Sequence, residues 1–514
     1  MKSSLARTLP VGGRSLLLPS RPATSFFLRP GWRRSLSVTA ARRDAERQWT
    51  TPLAKQLTEA INMTGPVPLA SFMRMCLTAD VGGYYTGAIE QGRDQFGQRG
   101  DFITSPEISQ VFGELIGIWF VAEWMSQGKP KAVELIEVGP GRGTLMDDML
   151  RTMKNFPSLA SNIEAIYMVE ASKELREAQK NLLCGKDAVM EETKAGWRCT
   201  SKYLNLPIIW AETIKGVPQS AEKTPFIVAH EFFDALPIHA FQVVNVPAPK
   251  QAPETDAQLS DATSTVSAKV RDGSKSTGGG LQWREMVVSP VPEGTTHGDL
   301  GTPKSEQHAP VPEFQMTLSP SVTRHSKYLP EMSPRYKALK NTEHALIEVC
   351  PDASLYASEF ATRIGGDAKQ PKPKPSGAAL ILDYGPLDTI PLNSLRGIRQ
   401  HKRVSPFSEP GLVDLSVDVD FMGIAEAALK ASEGVEVHGP VDQAGFLEAM
   451  GISERAAMLA KKTSPERAKD IERAWKRLVD RGPGGMGKLY KALAILPEND
   501  GRRKPVGFGG DVSP

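Results

Sequence analysis

Residues 133–145 read VELIEVGPGRGTL. An apolar run closes on Glu137, then Gly139, Gly141 and Gly143 follow at alternate positions before a helical pattern begins. A strand running through a Gly-rich turn into a helix aims backbone N–H groups and a helix N-terminus at one point, where a ligand can sit. The spacing is not Gly-x-Gly-x-x-Gly, and no Lys-Ser/Thr pair follows, so a P-loop is excluded and a nicotinamide dinucleotide turn is disfavoured. Glycines at alternate positions let the main chain pass closely beneath a flat sugar or amino-acid moiety. In dinucleotide sites a carboxylate about 20 residues further on takes the ribose hydroxyls. The comparable acid here is Glu170, somewhat later, at the end of AIYMVE (165–170). The plain alternatives are a tight turn that holds nothing and, for Glu170, a solvated strand end.

Other apolar runs extend the pattern. VELIEV (133–138), AIYMVE, PFIVAH (225–230) and AALILDYG (378–385) read as buried parallel strands, with DDMLRTMKNF and SKELREAQKNLL as helices between the first of them. Strands alternating with helices imply an α/β fold with a doubly wound sheet. Ligands of such sheets lie outside the carboxyl ends of the strands. His230, Glu231, Phe232, Phe233 and Asp234 fall there, after PFIVA. If a helical turn starts there, Glu231 and Asp234, three apart, share a face. His-Glu-x-x-Asp could suggest a metal helix, but Pro237 follows too soon and no third ligand is evident, so no metal is expected.

Ser105-Pro106-Glu107 reads as a hydroxyl cap, a proline and a first-turn acid opening a helix over 106–125. With Asp101 and Thr104 these residues form a polar segment suited to a lid. Asp414, Asp418, Asp420 and Tyr384 are weaker candidates for the cleft wall.

The 514 residues carry a formal net charge of +3, with 40% hydrophobic and 24% charged residues, and allow a sizeable core. The four cysteines, Cys76, Cys184, Cys199 and Cys350, have no metal-ligand spacing and are too few for a disulfide framework. No run approaches the ~18 apolar residues of a membrane span. From Met1 to Arg43 there is no acid, and eight arginines are interspersed with serine and leucine. Such N-termini read as mitochondrial transit peptides. The expected organisation is a transit peptide over 1–45, a helical lid region over 46–130, and a core in two parts, 131–245 and 313–425. Low-complexity insertions around a hairpin strand fill 246–312, a helical region spans 426–497, and 498–514 form a disordered tail. FQVVN, LQWREMVVS and FQMTLSP alternate like strands of a β-hairpin extension.

Glu-x-Gly-x-Gly-x-Gly after a strand resembles motif I of class I S-adenosylmethionine-dependent methyltransferases. EVGPGRGTL, GDFITSPEIS with QVFGE, AHEFFDALP, ILDYG, PGLVDLSVDVDF and MGKLYKAL, in this order between about Pro66 and Ile495, together resemble the MidA family. The low-complexity segments depart from that pattern. The resemblance implies a Rossmann-like class I methyltransferase sheet with an N-terminal helical lid, and S-adenosyl-L-methionine as cofactor. It implies that Glu137, Gly139, Gly141 and Gly143 line the cofactor and that Glu170 holds its ribose. It further implies a protein arginine methyltransferase of the mitochondrial matrix that modifies a core subunit of complex I during assembly, with symmetric dimethylarginine as the expected product. An arginine acceptor is cationic, with a pKa above ~12. Carboxylates grip its planar fork and offset its charge. Glu231 and Asp234 are therefore the expected guanidinium clamp, with His230 as proton acceptor or hydrogen-bond bridge. No nucleic-acid partner is expected, and homodimerisation is left open. The competing reading is a methyltransferase fold kept as an assembly chaperone without turnover.

Overall fold

The computed structural model describes residues 47–86, 100, 101, 103–247, 280–304 and 307–509. The expected transit peptide and most of the first low-complexity insertion lie outside these residues. The glycine turn sits at the centre of a nine-stranded sheet, on the strand Val133–Val138, here β1. The others in chain order are β2 Ile163–Val169, β3 Glu191–Thr193, β4 Gly196–Thr200, β5 Pro207–Ala211, β6 Thr224–His230, β7 Ala378–Tyr384, β8 Val435–Asp442 and β9 Tyr490–Pro497. Their order across the sheet is β8-β9-β7-β6-β1-β2-β5-β4-β3. β5, β2, β1, β6 and β7 run parallel, while β9 is antiparallel to both neighbours. The order reverses direction beside β1, so the ends of β1, β2 and β6 open onto one crevice, the switch point of a doubly wound sheet. The Rossmann-like expectation holds.

The strands are apolar on both sides because helices cover both faces. Leu135 joins a core beneath helices α1 (Gln110–Ser126) and α2 (Thr144–Met153), where Trp119 and Trp124 are fully buried. Its neighbours Ile136 and Val138 join the opposite core, beneath α3 (Pro351–Gly365) and α4 (Phe421–Ala431). The period-2 alternation of side chains divides one strand between two cores. A second sheet forms the expected extension: His239–Val246 lies between Gly280–Pro290 and Leu346–Val349, and Val67–Pro68 and Phe314–Leu318 pair with Gly280–Pro290. A three-stranded sheet over 396–416 closes one side of the crevice.

Three expectations need correction. The C-terminal region is not all helical, because β8 and β9 lie within it. KALAI suits a helix by propensity, yet Ala492 to Leu496 are fully buried between β7 and β8, and tertiary pairing overrides local preference. The tail is packed as far as residue 509: Trp119 Nε1 donates to the Val506 carbonyl (3.2 Å), and Phe508 lies against Trp119 and Phe446. The helix expected over 106–125 breaks at Ser109, whose extended backbone (φ −151°) ends a short helix, Ser105–Ile108, and whose side chain caps α1. Its first cap is Thr104 rather than Ser105, and Glu107 accepts from the Thr104 N–H (3.4 Å). Within the described part of the second insertion, residues 291–304 form tight turns, with Thr296 N donating to Asp299 Oδ2 (2.8 Å).

Candidate active site

One cavity of about 1420 Å³ opens at the carboxyl ends of the parallel strands. Glu137, Gly139, Gly141, Glu170, His230, Glu231 and Asp234 all line it. Gly143 does not; it stands behind the turn, where a Cβ would fall 3.2 Å from the side chain of Gln179. All three glycines have positive φ, between 52° and 84°, a region costly for residues with a Cβ. Gly139 also leaves no room for a methyl group, since a Cβ there would lie 2.5 Å from the ring of Phe232. The turn between β1 and α2 is thus pressed against the turn that follows β6.

Gln179, on the helix Lys173–Leu183, ties the first half together. Its Nε2 donates to the Gly141 carbonyl (2.6 Å) and to Glu170 Oε2 (3.2 Å), and its Oε1 accepts from Trp210 Nε1 (2.8 Å). Glu170 Oε1 accepts from Ser172 N (2.8 Å). Each oxygen is anchored by one donor, so each keeps acceptor capacity toward the cavity. Burial pushes the Glu170 carboxyl up to about 7. Burial, and then the nearby Glu170, push Glu137 well above the usual carboxylate range.

The second half is the turn 231–235. Glu231 is not on a helical face as expected. It adopts a left-handed backbone (φ +49°), and only Phe233–Ala235 form a 3₁₀ turn. A non-glycine residue held there costs about 1–3 kcal/mol and needs support from its surroundings. The fully buried Asp383 supplies it from the end of β7: its Oδ2 accepts from the N–H groups of Phe232 (3.1 Å), Phe233 (2.9 Å) and Asp234 (3.3 Å). Tyr384 donates from its hydroxyl to Asp234 Oδ2 at 2.5 Å, and Arg396 stacks over the Tyr384 ring at 4.3 Å. Ser105 N donates to Glu231 Oε1 (3.4 Å), joining the short helix of the expected lid to the same turn. Glu107 of that helix faces Arg142 of the glycine turn at 3.6 Å.

The carboxyls crowd one another. Burial first, and Asp234 next, push Glu231 well above the usual range. Burial also raises Asp234, against the hydrogen bond from Tyr384. Asp414, which accepts from Tyr85 (2.8 Å), is pushed by burial up to about 7. His230 packs on Phe112, and burial pushes its ring down to about 3. Its Nε2 lies 3.3 Å from Glu231 Oε1 without hydrogen-bond geometry, so this is contact between a neutral ring and a carboxyl, not an ion pair. Burial makes the ring a weak base, and no hydrogen bond joins its Nε2 to Glu231 here.

Asp418 lines the cavity but is paired with Arg396 (2.7 Å). Asp420 lies outside it, capping α4 and holding Arg335 (2.8 Å). Asp101 is likewise structural, accepting from Tyr84 and from Gln400 N, both at 2.8 Å. Sequence reasoning missed Asp383 and Gln179. The acid of ILDYG at a strand end was the one available signal. Glu137 Oε2, Asp234 Oδ1 and His230 Nε2 are buried without hydrogen-bond partners. Buried polar atoms seldom stay so, and these three face a cavity with space for a nucleoside-sized ligand and a side chain beside it.

A family model described as "Putative S-adenosyl-L-methionine-dependent methyltransferase" matches residues 115–441. The protein arginine methyltransferase NDUFAF7, mitochondrial, of Homo sapiens is 33% identical over 452 residues, covering 87% of this chain and 84% of its own. The Drosophila melanogaster homolog is 33% identical over 451 residues, covering 87% and 85%. A Burkholderia thailandensis structure bound to S-adenosyl-homocysteine superposes with a TM-score of 0.57 at 20% identity, covering 89% of this chain and 92% of that one, and shares the fold. The match spans β1 to β8 and includes both halves of the cavity, and the chain belongs to this family of S-adenosyl-L-methionine-dependent methyltransferases.

Proposed function

We propose that the cavity transfers a methyl group to an arginine side chain of a protein, a core subunit of mitochondrial complex I, in the matrix. The observation that carries this reading is the placement of Glu231 and Asp234, on a turn locked by Asp383, in the same cavity as Glu137 and Glu170. Arginine as acceptor, and the mitochondrial setting, are supported by the names of the relatives and by the acid-free, Arg-rich first 43 residues.

Bound S-adenosyl-L-methionine supplies an electrophilic methyl group on a sulfonium. Glu170 would accept hydrogen bonds from the ribose hydroxyls through the acceptor capacity that Ser172 and Gln179 leave free. Gly139 and Gly141 would let the main chain lie against the cofactor, with the N-terminus of α2 beyond them. Glu231 and Asp234 would hold the guanidinium fork and offset its charge, which fixes one nitrogen in line with the methyl group. An ionised carboxylate of the pair would take the proton released as the nitrogen is alkylated. Tyr384 orients Asp234, and the neutral His230 shields the clamp from solvent.

The test is incubation of purified protein with methyl-labelled cofactor and recombinant complex I core subunits, followed by peptide mapping. The expected result is label on arginine, lost when that arginine is replaced by lysine. Label on another residue type, or none while the cofactor binds, refutes the acceptor assignment.

A further inference from the structure

We propose that His239, Glu285 and His325 form a binding site for a divalent transition metal of the zinc class, separate from the methyl-transfer cavity. The three residues come from different elements. His239 opens the strand His239–Val246, Glu285 lies on its antiparallel neighbour Gly280–Pro290, and His325 sits on the helix Arg324–Tyr328. His239 Nδ1 is 2.7 Å from Glu285 Oε1, and His325 Nδ1 is 3.2 Å from the same oxygen. All three candidate ligand atoms lie within 4.8 Å of one another. Zinc bonds of ~2.0–2.2 Å in a tetrahedral site place ligand atoms about 3.3–3.6 Å apart. The two measured spacings fall short of that range by about 0.1–0.6 Å, so small outward side-chain shifts would admit a metal.

Chemistry and charge favour a cation at this point. Two imidazoles and a carboxylate are a donor set suited to zinc and its neighbours, with a fourth position for water. Glu285 is fully buried, and among the described residues no Lys or Arg ion pair reaches it. A buried carboxylate is costly to ionise without a countercharge, and a dication held by two imidazoles would supply one. Thr323 donates to Glu285 Oε2, which leaves Oε1 facing both rings. The same Thr323 caps the helix that carries His325, accepting from Ser326 N at 3.1 Å. Such outer contacts orient ligands in metal sites. The His325 side chain is 42% exposed, which gives the ion a path from solvent. His239 follows Pro237 of the active-site wall by two residues, so a bound metal would tie the helix Arg324–Tyr328 to the extension sheet close to that wall.

The test uses tag-free full-length protein, stripped with a chelator and titrated with Zn²⁺, with Co²⁺ as a spectroscopic probe. One equivalent of Zn²⁺ should bind wild type, with four-coordinate Co²⁺ absorption bands. His325→Ala, at a part-exposed position, should bind at least about 10-fold more weakly. His325→Cys, which keeps a ligand, should restore tight binding, and circular dichroism should be unchanged in both. Equal Zn²⁺ binding by wild type and His325→Ala, or none by either, would overturn the site and leave an imidazole–carboxylate hydrogen-bond cluster.

Discussion

Replacing Tyr384 by Phe removes one oxygen atom and isolates the hydrogen bond that sets the charge of Asp234. The hydroxyl donates to Asp234 Oδ2 at 2.5 Å, while Oδ1 is buried without a partner, so this is the main polar support of that carboxylate. Hydrogen bonds to charged groups are worth about 1.5–3 kcal/mol. The bond favours the ionised form and works against burial, which raises the Asp234 pKa. The sign follows directly. Without the hydroxyl, the Asp234 pKa rises further, and the carboxylate is lost at a higher pH. If catalysis needs that carboxylate, the ascending limb of the kcat/KM profile for methyl transfer moves to higher pH. At a fixed pH on that limb the loss is about 10- to 150-fold, shrinking toward the alkaline end. Calorimetry with S-adenosyl-homocysteine should give an unchanged Kd, because Asp234 belongs to the acceptor half of the cavity. A Tyr384→Phe profile that superimposes on wild type, or moves to lower pH, would refute the reasoning.

Gly139→Ala should weaken S-adenosyl-homocysteine binding at least about 10-fold by calorimetry, since the new methyl meets Phe232 at 2.5 Å and the residue keeps a left-handed φ that costs about 1–2 kcal/mol. Glu170, pushed up to about 7, should make cofactor affinity fall as pH drops below that value, and Glu170→Gln should bind about 10-fold more weakly with the pH dependence flattened. The buried Arg363 donates to the carbonyls of Ile214 (3.0 Å), Val217 (2.9 Å) and Pro218 (3.0 Å) as well as to Glu359. Arg363→Ala should therefore cost about 3–5 kcal/mol in denaturant melts, and a loss under ~1 kcal/mol would contradict the packing described.

The sequence revealed most where chemistry and topology coincide. Glu137, Glu170 and Glu231 each follow or end an apolar run, and an α/β sheet sends all such ends to one crevice. The glycines were legible because their spacing has few uses. What stayed hidden depends on contacts between distant parts of the chain. Asp383 caps a turn 150 residues before it, and nothing local in ILDYG announces that. Gln179 reads as an ordinary helix residue, yet it links Gly141, Glu170 and Trp210. The alanines and leucine of KALAI suit a helix, whereas the slot between β7 and β8 makes the segment β9. A spacing of three pairs Glu231 and Asp234 on a helical face, but left-handed backbone at Glu231 and the Asp383 cap bring them to the cavity. The His239, Glu285 and His325 cluster had no sequence spacing at all, because it is assembled from three separate elements.

The central claim is that one cavity holds the methyl donor against the glycine turn and the acceptor against the 231–234 turn. A crystal structure of the protein soaked with S-adenosyl-homocysteine tests it most directly. The account predicts ribose hydroxyls within hydrogen-bond distance of Glu170, main-chain contact at Gly139 and Gly141, and the sulfur facing Glu231 and Asp234. A ligand bound elsewhere, or a sulfur turned away from those two acids, would contradict it.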